Sequence, residues 1–285
     1  MSERTPTQAD IDVYGLTHPG KVRKNNQDHF LIAELSREMR VDRTSLPPGL
    51  HLPVRSEHLA SLAMVADGVG SGSGEEASRE TLLAISQYVE RSANAFYTSE
   101  TEDGAQFAQI LSDAAMQCHA GLLERGAAGP GKGRMATTLT LWLGLWPQAY
   151  LLHVGDSRCY LFRDDTLTQI SRDQTMAQNL IDDGVLSVTK AHRTRWASVL
   201  SSAIGGQEAA PMVTRIVRDW GTVVLLCSDG LYRHVSDDKI EDRLRNLTSS
   251  QQACETLLQD ALDDGGTDNV TIVIGRTIRP VGEAA

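Results

Sequence analysis

Short apolar runs alternate with polar stretches along most of this 285-residue chain. Eight runs are rich in Val, Ile, Leu and Thr, which is the composition and length expected of β-strands. Neighbouring runs such as 137–145 and 149–154 predict antiparallel hairpins. The eight runs lie near residues 12–17, 28–34, 60–66, 137–145, 149–154, 158–162, 222–227 and 270–275.

Four other segments repeat apolar residues at helical spacing. One follows Glu75-Glu76, one runs from Phe107 to Leu122, one follows a Ser236 cap, and one runs from Ala253 to Ala261. Strands that form hairpins and helices that come in separate pairs favour an α+β fold with a layered architecture.

Two long stretches lack a clear hydrophobic periodicity. We expect residues 35–59 to be a surface elaboration, and residues 174–210 to be a long loop of the kind that often forms a lid. Both ends of the chain are polar, so residues 1–11 and 277–285 are predicted to be flexible. A single domain over 12–276 remains between them.

Composition narrows the classes of function. A net charge of -10 argues against binding to nucleic acid or to an anionic membrane. The longest apolar stretch, Leu139–Trp146, is too short to span a bilayer, and the polar N-terminus has no signal-peptide core. The four cysteines are scattered without the spacing of a zinc site or a disulfide framework. We therefore expect a cytoplasmic protein.

Aspartates stand at the ends of the buried runs. Asp67, Asp156 and Asp229 each close an apolar run, whereas Asp28 and Asp268 each precede one. A carboxylate at the rim of a buried strand loses solvation free energy unless something compensates it. Several such groups that converge favour a hard divalent cation, and oxygen ligands favour Mg²⁺ or Mn²⁺ over zinc or copper. The pattern indicates a metal-dependent hydrolase that acts on phosphate.

Two glycine-rich stretches do not match the nucleotide-binding motifs they suggest. Residues 126–133 have the Walker spacing, but Gly133 stands where a Ser or Thr is required. Residues 68–74 fail the dinucleotide fingerprint because Ser73 replaces its third glycine. Asp67 directly before them would repel a pyrophosphate but suits a cation, with the glycines letting the backbone come close to it.

Arg23 adds a phosphate-binding group, because a guanidinium is a planar fork that matches phosphate oxygens. It begins the first of a series of short motifs in the order Arg23-x-x-Asn26-Gln27-Asp28, Asp67-Gly68-Val69-Gly70, Gly155-Asp156-Ser157-Arg158, Ser171-Arg172-Asp173-Gln174-Thr175, Ser228-Asp229-Gly230-Leu231 and Asp268-Asn269-Val270-Thr271. From about Gly15 to Ile274 this series resembles the metal-dependent protein phosphatases, the type 2C serine/threonine phosphatases of bacterial type.

The resemblance implies a four-layer α/β/β/α sandwich, in which helix pairs flank two antiparallel sheets and a cleft at one end holds the metals. Residues near 176–203 would form a mobile flap over that cleft, and Arg23 would hold the substrate phosphate.

The resemblance also implies a set of metal ligands. Asp67 would bridge two Mn²⁺ or Mg²⁺ ions, and Asp28 would hold a metal-bound water. In bacterial members the aspartate that corresponds to Asp156 shares a third, weaker ion with the one that corresponds to Asp229. The complete implied set is Asp28, Asp67, the Gly68 carbonyl, Asp156, Asp229 and Asp268.

The implied activity is hydrolysis of phosphoserine and phosphothreonine in proteins by a metal-activated water, without a protein nucleophile. The enzyme would be a monomer that opposes a serine/threonine kinase. Eukaryotic members often carry a histidine general acid where Val69 stands, and we assign His153 and His234 to structure.

Two alternatives compete with this hypothesis. One is an inactive, phosphatase-like regulator, which would not need all five aspartates. The other is a metal-sensing module that binds Ca²⁺, although the chain has no twelve-residue calcium loop. Turnover that EDTA abolishes would separate the enzyme from both.

Overall fold

A computed structural model describes residues 5–37, 57–70, 73–98, 104–127, 135–191 and 194–279. The strands of these segments are β1 (Ile11–His18), β2 (Asp28–Arg37), β3 (Glu57–Val69), β4 (Ala136–Thr137), β5 (Leu139–Leu145), β6 (Gln148–Val154), β7 (Arg158–Arg163), β8 (Thr166–Gln169), β9 (Met212–Val217), β10 (Val223–Cys227) and β11 (Val270–Thr277). The helices are α1 (Gly74–Thr98), α2 (Gly104–Ala127), α3 (Met176–Asp182), α4 (Val188–Ala191), α5 (Asp229–Tyr232), α6 (Asp237–Arg245) and α7 (Ser250–Asp263).

The strands form two antiparallel sheets. The first has the order β1-β11-β10-β7-β8, and the second has the order β2-β3-β5-β6-β9 with β4 paired to β3. Helices α1 and α2 pack on the outer face of the second sheet, whereas α6 and α7 pack on the first. The predicted four-layer α/β/β/α sandwich is therefore confirmed.

Three apolar layers hold the sandwich together. Val65, Trp142 and Leu226 belong to the cluster between the two sheets. A second cluster joins the β2–β3 sheet to α1 and α2, and a third joins the other sheet to α5, α6 and α7. Because both faces of each sheet are covered, the central strands read as continuous apolar runs, as β5 does from Leu139 to Leu145.

The long helices form where the apolar periodicity predicted them. The Ser236 side chain accepts a hydrogen bond from the Lys239 amide at the start of α6, as the sequence predicted. Ser249 caps α7 in the same way through the Gln252 amide. No helix in the described part of the chain is both long enough and apolar enough to cross a membrane.

The structure corrects several details. Strands β8 and β9 were missed because β8 has four residues and β9 is a largely exposed edge strand. Residues 35–37 and 57–59, expected in a surface elaboration, extend β2 and β3, and residues 38–56 lie outside the described residues. Residues 174–210 are not one long loop, because they contain the short helices α3 and α4.

The ordered elements also extend into both segments that were predicted to be flexible. A 3-10 helix spans Gln8–Asp10, and the amide and hydroxyl of Thr7 both donate to the Asp10 carboxylate. At the other end β11 continues to Thr277, and the Ile278 amide donates to the Asp10 carbonyl. The two ends of the described chain are therefore tied together.

The core contribution of one central strand can be measured by shortening a side chain. Leu141 of β5 is fully buried between β3, β6 and the helices, so Leu141→Ala is expected to lower the free energy of unfolding by about 2–5 kcal/mol in a urea titration. Leu123→Ala, the same change at an exposed position of α2, serves as the control and should cost much less. Equal losses in the two variants would contradict this packing.

Candidate active site

The predicted aspartates all lie at one end of the sandwich. Asp28 and Asp67 are opposite each other across the β2–β3 pair. Asp156 follows β6, Asp229 follows β10 as the first residue of α5, and Asp268 precedes β11. A cleft of about 500 Å³ opens at this end, and its lining includes Arg23, Asp67, Gly68, Asp156, Asp229 and Asp268.

Paired threonines fix the backbone of Asp67. The Asp67 amide donates to Thr138 Oγ1 at 2.9 Å, and the Thr138 amide donates back to the Asp67 carbonyl at 2.9 Å. Thr137 Oγ1 donates to the same carbonyl at 2.8 Å. The hydroxyls of Thr138 and Ser157 are 2.7 Å apart, which links Asp67 to the turn that carries Asp156.

Gly68 allows β3 to pass close to the start of α1. A Cβ atom at this position would collide with the backbone of Gly74, so a side chain here would force the strand and helix apart. The Gly68 amide donates to the Gln27 carbonyl at 3.1 Å, next to Asp28. The backbone of Gly68 is thus held at the wall of the cleft.

Asn269 organises the loop that carries Arg23. Its side-chain amide donates to the carbonyls of Pro19 and Asn25 at 3.0 Å each, and its side-chain oxygen accepts from the Gln27 amide at 2.8 Å. Gly230 packs so closely on Asn269 that any Cβ atom there would strike the Asn269 carbonyl. Asn269 therefore connects the beginning of the chain to α5 and β11.

Asp28 has a buried oxygen without a partner. Its Oδ2 accepts from Thr271 Oγ1 at 2.8 Å, whereas Oδ1 has no hydrogen-bond partner among the described residues. Burial raises the pKa of Asp28 to about 6, although the hydrogen bonds from Ser228 and Thr271 act in the opposite direction. Such an oxygen costs free energy until a further ligand compensates it.

Burial and mutual repulsion also raise the pKa values of the neighbouring carboxyl groups. Burial is the largest cause for Asp67, whose pKa lies well above its ordinary value, and the charges of Asp28 and Asp229 add to it. Burial followed by the charge of Asp229 raises the pKa of Asp156 to about 7. The pKa of Asp229 is raised by burial, while the charge of Arg233 opposes the shift.

Two arginines partly neutralise this cluster. Arg23 Nη2 lies 2.7 Å from Asp268 Oδ2. Arg233 Nη2 lies 2.7 Å from Asp229 Oδ2 and 3.6 Å from Asp156 Oδ2. With the carboxylates turned to these arginines, no three His, Cys, Asp or Glu side chains of the described segments already stand in a metal-holding arrangement. A metal ion bound by Asp268 would have to draw this carboxylate away from the Arg23 guanidinium.

The structure thus brings all of the predicted site residues to one place. Six of them line the cleft, and Asp28 is joined to Asp67 by strand pairing. Their individual roles stay predictions. His153 bonds to Thr140 Oγ1 and the Arg172 carbonyl, and His234 bonds to Asp264 and Thr267, so both histidines have structural partners as predicted.

Sequence reasoning missed three residues that position the site. Asn269 stands in one of the quoted motifs but was given no role, and Thr138 was given none either, because only the structure shows which carbonyls and amides they reach. Arg233 was not considered at all. Its position four residues after Asp229 was the available signal, since residues at this spacing are neighbours on a helical turn.

The predicted flap borders the cleft. Thr175 caps α3 by accepting from the Gln178 amide. Ser198, at the end of a 3-10 helix over Arg195–Ser198, and Leu200 both line the cleft wall. The segment therefore has the location expected of a flap, and its motion stays a prediction.

Comparison with known proteins agrees with this geometry. Residues 51–265 match the family model described as Protein phosphatase 2C. The chain belongs to this family. It is 33% identical over 220 residues to the serine/threonine protein phosphatase PstP of Mycobacterium tuberculosis, a match that covers 77% of this chain and 41% of PstP. The chain thus spans about two fifths of the length of that curated relative.

Solved structures of serine/threonine phosphatases share the fold. The crystal structure of Mycobacterium tuberculosis PstP/Ppp superposes with a TM-score of 0.74 at 29% identity, over 94% of this chain and 99% of that one. The PstP catalytic domain in complex with two manganese ions has a TM-score of 0.70 at 28% identity, over 94% and 99%.

The raised pKa values predict how stability depends on pH when metals are removed. An aspartate whose pKa is higher in the folded state holds its proton longer there, so it stabilises the fold below about pH 4 and loses that contribution as the pH rises through its folded-state pKa. With the pKa of Asp28 at about 6 and that of Asp156 at about 7, the urea midpoint of the EDTA-treated protein should fall between about pH 4 and about pH 8.

Asp156→Asn is the matched variant, because it keeps the size of the side chain and removes its ionisation. Its urea midpoint should fall less steeply over the same range. A wild-type midpoint that rises with pH, or identical slopes in the two proteins, would contradict the buried-carboxylate account.

Proposed function

We propose that this chain is a metal-dependent phosphoprotein phosphatase that hydrolyses phosphoserine and phosphothreonine. The observation that carries the proposal is a single cleft lined by Asp67, Asp156, Asp229 and Asp268 with Arg23 at its edge. Membership of the phosphatase 2C family and the likeness to PstP, whose catalytic domain was solved with two manganese ions, support it.

The residues present fit a pair of divalent cations. Every predicted ligand is an oxygen, which suits Mn²⁺ or Mg²⁺. Asp28 Oδ1 is buried and has no hydrogen-bond partner within the described segments, and burial together with like charge raises the pKa of Asp67, so both groups would be stabilised by nearby positive charge. Asp67, the Gly68 carbonyl, Asp229 and Asp268 would hold the ions, and Asp28 would hold water bound to them.

Two such ions, when bound, lower the pKa of a water between them and neutralise charge on the transferring phosphoryl group. The protein holds the carboxylates that would bind these ions in position. Thr137 and Thr138 hold the Asp67 backbone, and the Thr271 hydroxyl orients the Asp28 carboxylate by donating a hydrogen bond to it. No protein nucleophile is needed in this scheme, because water attacks the phosphorus directly.

Arg23 would bind the substrate phosphate. Its side chain is exposed at the cleft, and its guanidinium is paired with Asp268. Once Asp268 turns to a metal ion, the guanidinium can present its fork to a phosphate ester instead. The same arginine would therefore hold Asp268 in the metal-free protein and the substrate in the loaded enzyme.

The proposed partners follow from this activity. The substrates would be phosphorylated proteins, and a serine/threonine kinase would supply them. The four cysteines are all free and buried, which supports a reducing, cytoplasmic location. We propose that the enzyme acts there as a monomer.

Removal of one metal-binding carboxylate tests the site. Asp67→Asn and Asp229→Asn should each reduce kcat for p-nitrophenyl phosphate in Mn²⁺ by about 100-fold or more, because the amide binds a divalent ion poorly and the phosphoryl charge is left uncompensated. Asp263→Asn on the exposed face of α7 is the control and should keep wild-type turnover. EDTA should abolish the wild-type rate, and unchanged rates in both site variants would refute the assignment.

Loss of the phosphate contact should appear in KM. Arg23→Ala is expected to raise KM about 10-fold or more with a smaller effect on kcat, because a charge-assisted hydrogen bond to bound substrate contributes about 1.5–3 kcal/mol. Arg163→Ala, which removes an exposed arginine paired with Asp219, is the control. An unchanged KM in the Arg23 variant would exclude this role.

A further inference from the structure

Arg233 occupies the space between two buried carboxylates. Its Nη2 atom lies 2.7 Å from Asp229 Oδ2 and 3.6 Å from Asp156 Oδ2. The Asp229 and Asp156 side chains are 11% and 6% exposed, whereas Arg233 is 37% exposed. One guanidinium therefore faces both acids at the wall of the cleft.

The arginine is tied to this position by its own backbone. Arg233 is the residue that closes α5, and its amide donates to the carbonyl of Asp229 at 3.1 Å. The guanidinium and the carboxylate that it binds thus lie on the same helical turn.

Contacts of the neighbouring residues hold Asp156 close to Arg233. Tyr232 Oη donates to the Asp156 carbonyl at 3.0 Å, which holds the Asp156 turn against α5. The Arg158 guanidinium stacks on the Tyr232 ring at 3.7 Å and is itself paired with Asp173. Arg158 is therefore paired elsewhere, and among the described residues Arg233 is the cation that forms ion pairs with both Asp156 and Asp229.

Two facing carboxylates that are buried require a compensating positive charge. The phosphatase resemblance assigns that role to a third metal ion shared by Asp156 and Asp229. In this chain the guanidinium already stands there, and a divalent ion between the same two oxygens would be repelled by it. The residues present therefore do not fit a third metal ion.

We propose that Arg233 is an internal cation that replaces the third metal ion, so that this phosphatase binds two ions where the resemblance implies three. The inference rests on the proposed function for the first two ions and concerns only the position between Asp156 and Asp229. Arg233 is here a positioning residue that neutralises and orients the two acids.

Counting bound metal tests the proposal without measuring activity. The full chain is dialysed against rising Mn²⁺ concentrations, and the manganese bound per chain is measured by atomic emission. The wild type should saturate at two ions per chain. Arg233→Ala should bind a third ion, because the two acids then lack a cation.

Three further variants test whether the charge of Arg233 determines how many manganese ions bind. Arg233→Gln removes the charge but keeps much of the side chain, so it should also bind three ions even where the alanine variant folds poorly. Arg233→Lys keeps the charge and should bind two. Arg243→Ala is the matched control, because Arg243 is 34% exposed and pairs at 2.8 Å with Asp260, which is 12% exposed; it should bind two.

The possible results separate this inference from the proposed function. Three ions in the wild type, or two in Arg233→Ala and Arg233→Gln, would overturn the internal cation while leaving the phosphatase proposal intact. No bound manganese in the wild type would overturn both. A raised KM in Arg233→Gln with the count still at two would mean that Arg233 contacts substrate, and this result also rejects the proposal.

Discussion

The accumulation of like charge at one end of the sandwich is the constraint on which the site depends. Two unit charges about 4 Å apart in a protein interact by about 4 kcal/mol at an effective dielectric constant near 20. Here the charge of Asp229 raises the pKa values of Asp28, Asp67 and Asp156, so the carboxylates destabilise one another. The pKa values of Asp28 and Asp156 are raised, and Asp268 and Asp229 each pair with an arginine. One Asp28 oxygen has no partner among the described residues. Cation binding would relieve the same repulsion, and so it would be coupled to the stability of the whole domain.

The positions of the acids are set mostly by backbone contacts. Thr138 exchanges hydrogen bonds with the main chain of Asp67, Asn269 binds three backbone groups of the segment from Pro19 to Gln27, and Gly68 and Gly230 allow chain segments to touch. Because the backbone is held in this way, we expect the Asp268 carboxylate to change partners by side-chain rotation alone. The site can therefore exchange an arginine for a metal ion without rearranging its strands.

Much of the fold and the cleft could be predicted from sequence because buried strands and long helices have strong periodic patterns. The eight predicted runs all contain strands, and the predicted ligands converge. Edge strand β9 was missed because its residues are largely exposed and lack a clear apolar pattern. Arg233 was missed for a different reason. Its ion pairs involve two acids, and one of them, Asp156, lies 77 positions earlier in the chain, so only the tertiary structure shows that the three side chains are neighbours.

The pairing of Asp28 with Asp67 has a consequence for how the chain can change length. Side chains alternate between the two faces of a strand, so a slip of one residue between β2 and β3 would turn one aspartate into the opposite layer while most strand hydrogen bonds re-formed. The same slip would exchange the apolar side chains of that strand between the two core clusters, so packing and the site depend on one register. The β-bulge between Leu35 and Ser36 lies at the other end of the hairpin, so insertions beyond it leave the pairing of Asp28 with Asp67 intact.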